Sequence, residues 1–241
     1  MKIFNSCGEF SLKQKEGHQL KFDRSNCEVV VIPLGIDPSF FKPLNLKKTL
    51  RQKWGIKQED IIILTVCSLN KHKGVDVLIK SLALLNRIQK MDVMLLIAGD
   101  GPEKFTLEKL SQKLGLQKNI FFLGFRNRSE LLELYNLADI FVLSSYSEGL
   151  PRVLAEAMAC GCVSISTSVG DVSKIIVNGH DGFTVEPGNP VDLAKQISKV
   201  LSLTQEEIIF IKNNARSKVL NKLDQKKLSK KMKKLVIRAR T

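Results

Sequence analysis

The chain of 241 residues has no apolar run approaching the ~18 residues that a membrane span requires. Its longest candidates, Ile61–Cys67 and Asp92–Ala98, are strand-sized. The opening MKIFNSCGEF lacks the apolar core of a signal peptide. Cysteine is scarce and odd in number, five in all, with no C-x-x-C pair. That excludes a disulfide scaffold and reads as reduced thiols in a cytosolic chain. Cys160 and Cys162 flank Gly161 with no His or Cys cluster beside them, which argues against a metal site there. Repeats and low-complexity linkers are absent, and so is the dinucleotide fingerprint G-x-G-x-x-G. What remains is an ordinary globular composition, 44% hydrophobic and 26% charged.

The formal charge of +14 is unevenly placed. Residues 212–241 hold twelve Lys and Arg against the single acid Asp224. The preceding body is close to neutral, so the basic character belongs to a tail and does not mark a nucleic-acid-binding fold. Within that tail Leu220, Leu223, Leu228, Met232 and Leu235 recur at helical spacings. The pattern predicts a basic amphipathic helix over 222–241. Such a helix either packs its apolar stripe on the domain or lies on an anionic membrane, peripherally on the inner face.

Apolar segments alternate with helical patterns along most of the chain. Strands are predicted at Glu28–Pro33, Ile61–Cys67, Asp92–Ala98, Asn119–Leu123, Asp139–Ser144, Cys162–Thr167 and Gly182–Glu186. Helices are predicted at 75–90, 103–115, 129–137, 152–160, 172–178, 190–203, 205–221 and 224–238. Strands apolar throughout, each followed by an amphipathic helix, indicate a Rossmann-like α/β fold: a parallel sheet with helices on both faces. Residues 1–27 are weakly patterned and read as a poorly specified lead-in to a domain over 28–221.

In such sheets ligands bind beyond the carboxyl ends of the strands. The richest segment there runs from Ser144 through Glu148-Gly149-Leu150-Pro151 to Glu156 and Gly161. Pro151 suits the first turn of a helix, whose free N–H groups can hold a phosphate. Glu148 and Glu156 stand eight positions apart, about 12 Å along a helix axis. Two carboxylates at that separation match the hydroxyls at either end of a nucleotide sugar. The plainer alternative is a solvated loop acid and a surface helix residue. However, Glu156 lies within the apolar stretch Val153–Ala159, and a carboxylate buried there needs a partner. A second segment, Ser68-Leu69-Asn70-Lys71-His72-Lys73-Gly74, follows the first sheet strand. Its Lys73 can set a positive charge against a diphosphate or simply be solvated. Gly99-Asp100-Gly101-Pro102 is a third Gly-rich turn after a strand.

In order along the chain, Lys73-Gly74, Gly99-Asp100-Gly101-Pro102, Phe122-Leu123-Gly124, Ala138-Asp139 and Glu148-x7-Glu156 resemble the donor half of family 4 glycosyltransferases. Val169-Gly170 and Asn178-Gly179-His180-Asp181-Gly182-Phe183 continue the match, and Val31–Asp37 resembles the link between that family's two domains. The resemblance implies the C-terminal half of a GT-B fold. It also implies transfer of a sugar from a nucleotide diphosphate sugar to a sugar or lipid-linked acceptor, with retention and without a required metal; the sequence has no D-x-D. Carried over by position, Glu156 binds ribose and Glu148 is the catalytic-site carboxylate that holds the donor sugar. Gly149, Leu150 and the helix start after Pro151 meet the phosphates, and Lys73 contacts the diphosphate. Gly101 lines the donor site, and Arg126 is a candidate for the base edge. Ser68 stands where many members have Arg, and Asp171 and Lys174 replace a frequent Gly and Glu. An N-terminal acceptor domain, missing or separate, is the expected partner. The competing readings are a non-catalytic nucleotide-sugar module, an inactive fragment, or a nucleotide-sugar epimerase.

Overall fold

The computed structural model describes residues 2–5, 29–33, 35–89 and 93–238. Strand β1 (Lys2–Asn5) pairs antiparallel with β2 (Val29–Ile32) as a separate two-stranded sheet. The lead-in over 1–27 therefore includes a strand, although most of that segment lies outside the described residues. Lys2–Asn5 has only two apolar residues between polar ends, too little for a strand signal, so only the pairing reveals β1.

The main sheet holds β3 (Ile61–Val66), β4 (Val93–Ala98), β5 (Ile120–Gly124), β6 (Ile140–Leu143), β7 (Val163–Thr167) and β8 (Phe183–Val185). All neighbours are parallel, and the order is β5-β4-β3-β6-β7-β8. The chain enters mid-sheet at β3, steps outward to β5, then returns to the other side of β3. This is the doubly wound order, and its reversal between β3 and β6 opens a crevice at their carboxyl ends.

Both faces of the sheet are covered, which is why the strands are apolar without alternation. Ile62, Leu64, Phe141 and Leu143 face one core, beneath α4 (Arg128–Leu137) and α5 (Arg152–Ala159). Ile63, Leu95, Ile97, Val142 and Ile165 face the other, beneath α2 (Val75–Gln89), α3 (Lys104–Lys113) and α7 (Pro190–Leu201). Each such side chain buried from water is worth roughly 1.5–3 kcal/mol. Local signals set the helix starts. Asn127 and Glu130 form a capping box on α4, and Thr204 and Glu207 form one on α8 (Gln205–Lys218).

Two helices differ from the sequence reading. Helix α1 (Lys47–Lys53) has no sequence counterpart among the predicted elements. Asp139 holds it by pairing with Lys47 and, at 2.7 Å, with Arg51, while also accepting the N–H of Ile62 at 2.8 Å. Arg51 is buried and donates further to the carbonyls of Leu137, Gln58 and Asp60. A tertiary ion pair, not an amphipathic period, thus seats α1. The helix expected over 172–178 is the single turn α6 (Val172–Ile175). The N–H of Val177 turns instead to the buried Asp181 carboxylate at 2.7 Å, whose other oxygen pairs with Lys218.

After α8 a π-helical turn, Val219–Leu223, leads into α9 (Gln225–Arg238). Ile36 donates to Leu223 O at 2.9 Å and accepts from Gln225 N at 2.8 Å, fixing this junction to the segment after β2. A Cβ at Gly35 would lie 2.5 Å from Leu223 O and 2.8 Å from Leu228 Cδ1, so only glycine admits this approach.

Candidate active site

The crevice between β3 and β6 gathers the loops that the sequence singled out. After β3 the chain makes a 3₁₀ turn, Lys71–Lys73. After β6 it runs through Ser144 and Ser145 into the Glu148 loop. His72 O accepts from Tyr146 N at 2.7 Å, and Ser144 Oγ donates to Gly74 O at 2.8 Å, so the two loops are tied together. Lys73 Nζ meets Glu148 Oε1 at 2.8 Å, with both side chains largely withdrawn from solvent, 17% and 10% exposed. Ser145, fully buried, donates its Oγ to the same carboxylate oxygen at 2.6 Å. Thr167 at the end of β7 donates to Ser145 O, which holds that serine from behind.

The Glu148–Gly149 turn rests on the loop after β7. Asp171 N donates to Gly149 O at 3.1 Å. Gly170 has φ +53°, and a Cβ there would fall 1.8 Å from Glu148 O. Pro151 is the N-cap residue of α5, one position before the first helical turn expected for it. Its backbone is extended, as that ring allows, and no side chain caps the helix. The first-turn N–H groups of α5 are thereby left to a ligand or to water.

One turn on, Glu156 is buried, 8% exposed, and so is not a surface helix residue. Tyr135 OH donates to its Oε2 at 3.1 Å. Burial pushes the Glu156 carboxyl above the ordinary range. The Tyr135 hydrogen bond and the charges of Arg152 and Arg128 oppose that shift. Burial and the neighbouring carboxylate together push the Tyr135 phenol well up, so it stays a donor. Arg128 lies over the Phe40 ring, 4.3 Å from its centroid.

Other candidate residues have plainer surroundings. Arg126 turns its guanidinium back onto Leu123 O and Glu130, and lies 5.7 Å from the Trp54 ring. Ser68 is exposed and accepts from Asn70 at 3.0 Å. Gly101 belongs to a turn that backs onto Leu69, which donates to Asp100 O and accepts from Glu103 N. Leu150 is half-buried against the core and Gly149 is exposed. The thiols of Cys160 and Cys162 are buried beside α5 and pushed up by desolvation, Cys162 to about 12.

Residues 47–217 match the family model described as glycosyl transferases group 1. The chain belongs to that family. Among its relatives is a glycosyltransferase of Methanocaldococcus jannaschii, 33% identical over 213 residues, which are 87% of this chain and 54% of that protein. The chain thus spans about half the length of the curated relatives it matches. Two solved structures bear on the site. The Anabaena protein HepE, crystallised with UDP, superposes with a TM-score of 0.78 at 26% identity, over 86% of this chain and 57% of its own. The C-terminal domain of a group 1 glycosyl transferase from Francisella tularensis superposes with a TM-score of 0.68 at 27% identity, over 78% of this chain and 98% of its own.

Several contributors were not among the sequence candidates. Ser145, after β6, and Thr167, at the end of β7, support Glu148, and Tyr135 and Arg128, on α4, support Glu156. Ser145 stood within the singled-out segment but looked no different from Ser144 and Ser147. Tyr135 lies in the helix predicted over 129–137, but no local signal marked it as a site residue.

Proposed function

We propose that this chain is the donor-binding half of a retaining, family 4 glycosyltransferase. It takes a nucleoside diphosphate sugar and works with an N-terminal acceptor-binding half, supplied in cis or in trans. The observation that carries the reading is the meeting of Lys73 and Glu148 at the switch point of the sheet, beside the uncapped start of α5. Lys73 and the backbone N–H groups of Gly149, Leu150 and the first turn of α5 take the diphosphate, so its charge is met without a metal ion. Glu156, held by Tyr135, accepts from the ribose hydroxyls. Lys73 leaves Glu148 for the diphosphate when it arrives, and Glu148, held by Ser145, accepts from hydroxyls of the donor sugar. The UDP complex of the Anabaena relative makes uridine the first base to test.

Titration calorimetry with uridine, guanosine and adenosine diphosphates, each with and without chelator, tests this reading. Binding of at least one, unaffected by chelator, is expected. Absence of heat and of thermal shift with all three at millimolar concentration overturns it.

A further inference from the structure

Helix α9 carries six lysines, 226, 227, 230, 231, 233 and 234, and no acidic residue. All six are exposed, whereas Leu228, Met232 and Leu235 are half-buried. At 3.6 residues per turn the lysines fall within an arc of about 160°, and Leu228, Met232 and Leu235, the apolar residues whose side chains are described, gather within about 60° on the opposite side. Leu228 is seated against Gly35. The stripe is thus half-buried, with Leu228 turned toward the chain, and the outward face is cationic. A groove of about 430 Å³ runs along this helix, lined by Gln225, Lys226, Ser229, Lys230 and Lys233, with Asp37 as its one acid. Asp37 is engaged locally by Ser39, with Arg128 at 3.8 Å. One carboxylate, felt by Lys226, leaves most of the six lysines without a counter-charge.

We propose that the lysine face of α9 docks this chain on an anionic lipid surface by charge alone, with no insertion of the leucine stripe. The argument is complementarity of shape and sign. A helix of 14 residues is about 21 Å long, so its charges act jointly, within about two Debye lengths. Laid on the domain by its apolar side, it presents them as one convex face, which suits a plane of headgroups. Nucleic acid fits less well. The sequence of α9 has no aromatic residue for stacking bases, and its cations are lysines apart from Arg238 at its end. The membrane-inserting alternative needs the stripe outward, and it is not. This inference is independent of the donor reading.

The test is co-sedimentation of the full chain with phosphatidylcholine vesicles, with and without phosphatidylglycerol. Binding only to the anionic vesicles is expected, falling steeply as salt rises. The variant Lys230→Gln/Lys231→Gln/Lys233→Gln/Lys234→Gln changes exposed side chains only, and its melting curve checks that it folds. Each lysine near such a surface is worth about fivefold in partitioning, so a loss of more than a hundredfold is expected. Equal binding to neutral vesicles, insensitivity to salt, or full binding by the variant overturns the proposal. So does single-stranded RNA that displaces the chain from anionic vesicles at stoichiometric concentration.

Discussion

One oxygen of Glu148 carries both of its contacts. Oε1 accepts from Ser145 Oγ at 2.6 Å and pairs with Lys73 Nζ at 2.8 Å. Oε2 has no hydrogen-bond partner among the described residues. The serine holds the carboxylate in place whether or not the lysine stays, so a ligand can take Lys73 without releasing Glu148 into solvent. Lys73 and Glu148 neutralise each other until that happens.

From this pairing, Glu148→Gln is expected to separate two ligands. Lys73 loses its internal counter-charge, so free nucleoside diphosphate binds as well as before or better. The nucleotide sugar loses a charged acceptor, typically worth about 1.5–3 kcal/mol. Calorimetry with both ligands checks this, and equal weakening of both refutes the division of labour.

Glu156→Gln is expected to trade affinity for stability. The folded-state Glu156 carboxyl is raised chiefly by burial, so its favourable contribution is present at low pH and lost as pH rises through the raised value. Glutamine has the shape of the protonated acid and still accepts from Tyr135. At neutral pH the variant should melt at a higher temperature than the parent while binding nucleoside diphosphate about tenfold or more weakly. A lower melting temperature contradicts the burial argument.

Removing Arg51 tests the seat of α1. Its guanidinium is buried on the carbonyls of Leu137, Lys57, Gln58 and Asp60 and on the Asp139 carboxylate. Breaking a buried pair from one side costs about 3–5 kcal/mol. For a domain of this size Arg51→Ala should lower the melting temperature by roughly 2–4 °C per kcal/mol. Thermal unfolding followed by circular dichroism measures it.

At Gly170 a methyl group has nowhere to go. It would overlap Glu148 O at a backbone angle that L-residues rarely adopt. Gly170→Ala should therefore move the Glu148–Gly149 turn and abolish nucleotide-sugar binding. The β3–β6 packing, and with it most of the melting enthalpy, should survive. A variant that binds normally would show that the turn is not held by this contact.

Much of this was legible in the chain alone. Strand positions follow from apolar runs bounded by turns, and every predicted strand is present within a residue or two. Glu148 and Lys73 drew notice because each stands in a loop after a strand, and Glu156 because it is a carboxylate inside an apolar helical stretch. Even the burial of Glu156 was foreshadowed by its apolar neighbours. The sequence could not express relationships between distant segments. Nothing local says that β6 returns beside β3, yet that order alone brings Lys73 to Glu148 across 75 positions. Nor does it say that Ser145, and not Ser147, turns inward, since that depends on Thr167 behind it. The α1 helix has no period of its own and exists through Asp139, 88 residues from Arg51. The apolar stripe of α9 was plain in the sequence, but which way it faces was decided by Gly35. Periodicity reports which residues share a face; only packing reports what that face meets.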